Sequence, residues 1–261
     1  MPVSELLILL AVGLTSGLMN SVAGGGSFVS FPALIFFGLS PITANATSTM
    51  ALVPGTFATM FAYRNELKIH NKKLPLYIFL SLAGGLFGAV LLLYISNQAF
   101  AKTVPYLIFL ATILFSFKTH IIGSVNRIFR LQPDQKNSKF HQIFMLFLFI
   151  LIAIYGGFFG AGMGIMMLAV FSLMGMTRIN EMNALRSCCG LASNFIAMVV
   201  FGASGIISWP HALTISVGAI TGGYFGAFYA RKLPNEKIRN IVIIIGWTMT
   251  IYFFCKEYGN F

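Results

Sequence analysis

The chain has 261 residues, of which 57% are hydrophobic and only 9% are charged, whereas about 25% of the residues of a soluble globular protein are charged. This composition excludes a soluble domain, a disordered chain and a disulfide-rich scaffold, and it predicts an all-α polytopic membrane protein. The 17 Lys and Arg residues outnumber the 6 Asp and Glu residues. We interpret this excess as a loop bias that orients the chain in a lipid bilayer, so no nucleic acid partner is expected.

The first uncharged stretch, from Leu6 to Tyr63, is too long for one membrane helix. A single helix of this length would measure about 87 Å, whereas the hydrocarbon core of a bilayer is about 30 Å thick. Glycine and proline interrupt the stretch, which predicts segments at about 5–22, 27–38 and 44–63. The second segment is short for a span, and we interpret it as half of a broken helix or of a re-entrant hairpin.

The rest of the chain divides in the same way. A second uncharged stretch, 142–177, is broken by a glycine-rich run at 156–164. The polar, basic stretch 118–141 is interpreted as a linker. The remaining predicted segments are 74–95, 101–118, 180–201, 210–230 and 238–256.

The two halves of the chain resemble each other at an offset of 138 residues. The sequence GGLFGA at 84–89 aligns with GGYFGA at 222–227, and Asn45 aligns with Asn183. Each half also begins with a glycine-rich break. We therefore predict a first membrane repeat at 1–120, a cytoplasmic linker at 121–140 and a second membrane repeat at 141–261, with about five helical segments in each repeat.

The distribution of positive charge predicts how these repeats are oriented. Because each repeat has an odd number of segments, the two should have inverted topology. Fourteen of the 17 basic residues fall in one set of loops and two in the opposite set, which agrees with the positive-inside rule. We predict a multi-pass protein of the cell inner (plasma) membrane with both termini outside. The predicted cytoplasmic loops are 64–73, 118–141 and 231–239.

Inverted repeats with interrupted helices are typical of secondary transporters, whose substrate site lies near the midplane where the breaks meet. A break exposes main-chain N–H groups at a helix N-terminus, which favours binding of an anion. Small residues also serve helix packing, and we assign that role to the glycines of 84–88 and 222–226. The candidate substrate-binding residues in the two breaks are Asn20, Gly24, Gly25, Gly26, Ser27, Gly162, Met163 and Gly164.

The segment that follows each break carries a polar stripe at helical spacing. Arg186 in the second stripe lies well inside its segment, and an intramembrane arginine indicates function by default. The alternatives are an arginine that snorkels to the interface, or one that pairs with Glu181 or with the Asn183 amide. The further candidate substrate-binding residues in the stripes are Asn45, Ser48, Thr49, Asn183, Arg186 and Ser187, with Thr56 and Asn194 on the same faces.

Several other kinds of site are not indicated. No Asp or Glu lies deep in a predicted segment, which weakens a cation or metal permease. The four histidines lack the spacing of metal ligands, and no catalytic or nucleotide-binding motif occurs. We therefore predict no enzyme activity, no catalytic residue, no metal site and no cofactor.

The stretch GLTSGLMNSVAGGGSFVSFPALIFFGLSPITANATST, residues 13–49, resembles the start of the sulfite exporter TauE/SafE family of membrane proteins. The shared features are the glycine-rich motif, Pro32 in the next helix, and an element that runs from Gly38 through Ala44 and Ala46 to Ser48. The second copy, GMTRINEMNALRS, departs from this element at Leu185 and Arg186, where the first copy has Thr47 and Ser48. The resemblance covers nearly the whole chain.

This resemblance implies a secondary transporter, commonly an exporter, of a small sulfur-containing anion such as sulfite, thiosulfate or an organosulfonate, linked to the proton gradient. It agrees with the site expected from the breaks and Arg186, around which we expect one repeat to rock against the other in alternating access. A passive anion channel and a metal or cation permease remain alternatives, and a membrane enzyme or a non-transporting scaffold is disfavoured. The exact substrate, the direction, the coupling ion and the choice between monomer and homodimer stay open.

Overall fold

The computed structural model describes residues 2–67, 73–117, 139–176, 178–230 and 235–258. Within these ranges the regular structure is entirely helical, which confirms the predicted fold class. The predicted linker, except residues 139 and 140 at the start of a helix, and most of the basic loops lie outside the described residues. Besides a single turn at Arg64–Leu67, the helices are α1 (Val3–Ala23), α2 (Ser27–Phe36), α3 (Pro41–Ala62), α4 (Leu74–Leu93), α5 (Asn97–Ser116), α6 (Lys139–Phe158), α7 (Met163–Leu173), α8 (Ile179–Ala203), α9 (Trp209–Ala230) and α10 (Asn235–Tyr258).

Both glycine-rich breaks occur where the sequence predicts them. The first lies between α1 and α2, where Gly24 takes a left-handed conformation (φ 74°) and its N–H donates to Asn20 O over 2.9 Å. The second lies between α6 and α7, where Gly160 and Gly162 have φ values of 78° and 79°. A left-handed residue ends a helix cheaply only when it is glycine, so the glycines decide where each long apolar stretch turns.

The helix order of the first half, α1 to α5, recurs in the second half as α6 to α10. The contacts are reciprocal: α1 packs on α9 and α6 packs on α4, while α3 packs on α9 and α8 packs on α4. The two halves also meet directly through α3 with α8 and through α5 with α10. The helices of each half therefore pack against helices of the other half. The inverted orientation of the halves in the membrane, and the division into two repeats, stay predictions.

The glycines of the repeated GG-x-FGA sequence lie in these contacts. A Cβ atom on Gly88 would lie 2.8 Å from Phe158 N, and one on Gly226 would lie 2.9 Å from Leu18 Cα. Only a residue without a side chain allows the main chains to approach this closely, which is how small residues pack membrane helices. These glycines therefore serve helix packing, as the sequence predicts.

Four helices are long and apolar enough to cross a membrane among the described residues: Val3–Val22, Leu74–Leu93, Phe140–Phe158 and Ile179–Ala203. The two helices after the breaks, α2 and α7, have 10 and 11 residues and are too short to span a hydrocarbon core of about 30 Å. Large apolar side chains also cover the outer surface; Phe79, for example, is 66% exposed. The chain is a membrane protein.

Candidate functional site

The two breaks meet in the interior of the molecule. A Cβ atom on Gly24 would lie 2.9 Å from Gly164 Cα, and a Cβ atom on Gly164 would lie 2.9 Å from Gly24 Cα. No other residue type allows this contact without displacing a neighbour. The contact brings the N-terminus of α2 beside the N-terminus of α7, so the partial positive charges of two helix dipoles converge on one region.

Several main-chain N–H groups at these two helix starts precede the first closed turn. In α2 the first hydrogen bonds are from Phe28 N–H to Gly25 O (3.1 Å) and from Val29 N–H to Gly26 O (3.1 Å). In α7 the bond that corresponds to the second of these runs from Ile165 N–H to Gly162 O (3.0 Å). The first N–H groups of a helix have no acceptor within the helix. They are therefore suited to donate to an anion that enters between the breaks.

Arg186 crosses from the second half of the molecule to the first break. It lies in α8 and is only 3% exposed. Its Nη2 donates to Ser21 O over 2.9 Å and to Asn20 O over 3.4 Å. These carbonyls belong to the last turn of α1, where the helix dipole is negative and favours a cation. The guanidinium is thus held by main-chain acceptors, while Glu181 accepts a hydrogen bond from Arg178 (3.0 Å).

Two donor atoms of Arg186 are buried without a hydrogen-bond partner among the described residues. These atoms are Nε and Nη1. A Cβ atom on Gly24 would lie 2.6 Å from Nη1 and one on Gly164 would lie 3.0 Å from it, so Nη1 sits directly at the crossing of the breaks. A buried charged donor without an acceptor is costly. An anion at this point would supply the missing acceptor.

A small polar cavity lies beside these groups. Its volume is about 30 Å³, which is room for about two water molecules. Among the residues that line it, only Arg186 carries a charge. The lining residues are Asn20, Gly24, Ser27, Leu52, Thr56, Thr59, Gly160, Met163, Gly164, Arg186, Ser187, Gly190 and Asn194.

The polar side chains of the cavity are held in place by hydrogen bonds. Asn20 Nδ2 donates to Thr56 Oγ1 over 2.9 Å, and Thr56 Oγ1 donates to Leu52 O over 2.8 Å. Thr59 Oγ1 donates to Gly55 O over 2.9 Å and approaches Gly223 O at 3.2 Å. These bonds fix the side chains of α1 and α3 relative to each other, so the cavity wall is preorganised.

The structure brings half of the sequence-predicted site residues to the cavity. Seven of the fourteen line it, and the other seven are buried but do not line it. Those that line it are Asn20, Gly24, Ser27, Met163, Gly164, Arg186 and Ser187. Those that do not are Gly25, Gly26, Asn45, Ser48, Thr49, Gly162 and Asn183.

Three of the polar side chains outside the cavity have hydrogen-bond partners, whereas Asn183 Oδ1 is buried without one among the described residues. The hydroxyls of Ser48 and Ser30 lie 2.7 Å apart, and Thr49 Oγ1 donates to Asn45 O over 2.9 Å. Asn45 Nδ2 donates to Phe158 O over 2.9 Å, at the end of α6. These contacts fill the end of α3 opposite to the end at which Thr56 and Thr59 line the cavity.

The contact of Asn45 with Phe158 mirrors the contact of Arg186 with Asn20. Phe158 and Asn20 are equivalent at the offset of 138 residues, and in both cases a side chain of one half binds the last turn of the first helix of the other half. The neutral Asn45 amide binds the last turn of α6, and the Arg186 guanidinium binds the last turn of α1. The cavity lies on the side with the cation.

Sequence reasoning missed Leu52, Thr59, Gly160 and Gly190 as lining residues. The polar stripe of α3 could have identified Thr59, because Thr59 follows Thr56 by three residues and so lies on the same helix face. Glycines give no such signal. Within the described part of the chain, no three His, Cys, Asp or Glu side chains form a group that could hold a metal ion.

Comparison with known proteins gives a consistent result. A family model described as Sulfite exporter TauE/SafE matches residues 9–253. A probable membrane transporter protein of Haemophilus influenzae is 27% identical over 246 residues, which cover 94% of this chain and 92% of that protein. The probable membrane transporter protein YfcA of Escherichia coli K12 is 23% identical over 255 residues (97% and 91%), and YunE of Bacillus subtilis is 26% identical over 261 residues (92% and 95%). No solved structure matches.

Proposed function

The chain belongs to the sulfite exporter TauE/SafE family and is a membrane transporter, and we propose that its substrate is a small sulfur-containing anion such as sulfite, thiosulfate or an organosulfonate. The family and the names of its relatives indicate a transporter rather than an enzyme. The observation that carries the proposal is Arg186, which is buried at the crossing of the two breaks, with Nε and Nη1 lacking a hydrogen-bond partner in the described part of the chain.

The charges around the cavity favour an anion. Arg186 contributes one positive charge, and the N-termini of α2 and α7 contribute roughly half a charge each. The C-terminal carbonyls of α1 that bind Nη2 offset part of this charge. An oxyanion between the breaks would accept from Nε and Nη1 and from main-chain N–H groups. A cation in the same place would meet a like charge, and none of the lining residues is a carboxylate.

The position of the cavity supports alternating access. It is bounded by α1 and α3 of the first half and by α7 and α8 of the second, so movement of one half against the other would change its exposure. Its small volume in this structure suits an occluded or substrate-free state. Export and coupling to the proton gradient are part of the proposal, and the family description supports export.

The direct test is transport by the purified protein in liposomes, with radiolabelled sulfite, thiosulfate and sulfoacetate as substrates. We expect saturable uptake of at least one of them, accelerated when the liposomes are preloaded with the same unlabelled anion. Such counterflow distinguishes a carrier from a channel. Transport of a metal cation without transport of any of these anions would refute the proposed substrate class.

The site assignment is tested by Arg186→Gln. Removing one partner of a buried, hydrogen-bonded charge pair weakens binding by about 2–5 kcal/mol, which is about 30-fold or more in affinity. Arg186→Lys keeps the charge but loses the planar fork of donors, so an intermediate effect is expected. Arg178→Gln is the matched control, because it removes a charge from the start of the same helix at a position that is 73% exposed. Equal transport by Arg186→Gln and Arg178→Gln would contradict the assignment.

A further inference from the structure

An ionisable pair joins the two halves of the molecule away from the cavity. Glu5 lies in the first turn of α1, and His211 lies in the first turn of α9. His211 Nε2 is 3.1 Å from Glu5 Oε1, and the two side chains are 16% and 17% exposed, so the pair is largely shielded from its surroundings. The two residues are 206 positions apart in the chain, and only the packing of α1 on α9 brings them together.

The pair continues into a chain of hydrogen bonds. His211 Nδ1 lies 2.8 Å from Ser208 Oγ, and Ser208 N–H donates to Thr47 Oγ1 over 3.0 Å. Thr47 is in the first turns of α3, beside Ser48 and two residues after Asn45. The network therefore connects α1, α9 and α3 at the N-terminal end of α3, which is closely packed and does not line the cavity. The cavity residue Thr59 lies about 18 Å farther along the helix axis.

The arrangement accommodates His211 with or without its second proton. When the imidazole is neutral, Nε2–H donates to the Glu5 carboxylate and Nδ1 accepts from the Ser208 hydroxyl. When the imidazole is protonated, Nδ1–H donates to Ser208 Oγ, and Nε2–H donates to Glu5 in a charge-assisted bond. The same heavy atoms satisfy both states, so a proton can enter and leave without movement of the main chain.

Among the residues that the structure describes, the charges that face His211 come from few groups. The N-terminus of α9 disfavours a cation at this position, whereas the Glu5 carboxylate favours one. The helices that pack on α9 are α1, whose only ionisable side chain is Glu5, and α3, which has none between Pro41 and Ala62. The C-terminal end of α10, a helix that also contacts α1, carries Lys256, Glu257 and Tyr258. It lies at this end of the fold, because Tyr258 donates to Lys102 O near the start of α5, and the start of α5 contacts the start of α3.

We propose that Glu5 and His211 form a proton-binding site that holds this end of the molecule closed. A bound proton turns a hydrogen bond between a neutral ring and a carboxylate into an ion pair, and it thereby strengthens the link between α1 and α9. The pH on that side of the membrane then sets how readily the transport pathway opens there. The effect on transport rests on the proposed function, whereas proton binding by the pair does not.

Proton binding is tested without any transport, by NMR of the purified full-length protein with isotope-labelled histidine. His211→Gln assigns the His211 signal by its disappearance. We expect this signal to shift with pH, and the shift to be altered in Glu5→Gln because the carboxylate partner is gone. A His211 signal that does not change with pH, or a change with pH that is the same in Glu5→Gln, overturns the proton site.

The gating role is tested by the pH profile of transport in liposomes. We expect Glu5→Gln and His211→Gln to keep transport but to lose the pH dependence that the wild type shows on the Glu5 side. His141→Gln is the matched control, because His141 lies in α6, outside this network, and its variant should keep the wild-type profile. A His211→Gln profile identical to that of the wild type overturns the gating role. Failure of every variant and of the wild type to transport any sulfur anion would refute the proposed function, while the NMR result still decides the proton site.

Discussion

Replacing Gly24 by alanine tests the crossing of the breaks most sharply, because the substitution has two separable effects. The first is backbone strain: Gly24 has φ 74°, and a residue with a Cβ atom in the left-handed region costs about 1–2 kcal/mol. The second is contact. The new methyl group would lie 2.6 Å from Arg186 Nη1 and 2.9 Å from Gly164 Cα, and overpacking of this kind costs about 1–3 kcal/mol.

Two further glycines separate these effects. Gly38 has φ 85°, and a methyl group added there would have no atom of the described residues within 4 Å, so Gly38→Ala imposes the strain alone. Gly164 lies inside α7, where alanine is favoured over glycine by about 1 kcal/mol, and its methyl group would lie 2.9 Å from Gly24 Cα and 3.0 Å from Arg186 Nη1. Gly164→Ala therefore imposes the contact alone.

The expected results follow from this division. Gly38→Ala lowers the free energy of unfolding by about 1–2 kcal/mol and leaves transport intact. Gly164→Ala changes stability little but impairs transport, because the methyl group displaces the Arg186 guanidinium from the cavity. Gly24→Ala shows both losses. Stability is measured by thermal unfolding in detergent, and transport is measured in liposomes. Full transport by Gly164→Ala and Gly24→Ala would refute the view that close approach at the crossing positions the substrate site.

Two other predictions concern the closely packed N-terminal end of α3. A disulfide in the double variant Thr47→Cys and Ser208→Cys, verified by mass spectrometry, is expected to abolish transport reversibly, because it joins the two halves where Ser208 N–H donates to Thr47 Oγ1. The single variants are the controls. Unchanged transport by the oxidised double variant would contradict an opening of the transport pathway at this end. Asn45→Ala is expected to destabilise the protein by about 1–3 kcal/mol, because Phe158 O loses its buried donor. The exposed Asn180→Ala is its control in thermal unfolding, and equal stability of the two variants would show that the Asn45 contact contributes nothing.

Much of the fold was predictable because the relevant physics is local. A bilayer of limited thickness forces a long uncharged stretch to turn, and the glycines at 24–26 and 156–164 mark where it turns. Helical spacing placed Arg186 on one face with Ser187 and Asn194, and the cost of burying a charge singled out Arg186. These inferences need only the order of residues along one helix, and the structure brings Arg186 to the crossing of both breaks.

The tertiary structure decided which polar faces surround a cavity and which are packed. Asn45, Ser48 and Thr49 share the stripe pattern of Asn183, Arg186 and Ser187, yet the first three are occupied by Phe158 O, Ser30 and the main chain of α3. Spacing defines a helix face but not the neighbour that the face meets. For the same reason the sequence did not reveal the contact between Glu5 and His211, which are 206 residues apart. Sequence alone determined the helices, the breaks and the buried charge, because each depends on a short segment and its solvent. Their partners depend on how separate helices pack, which no single segment encodes.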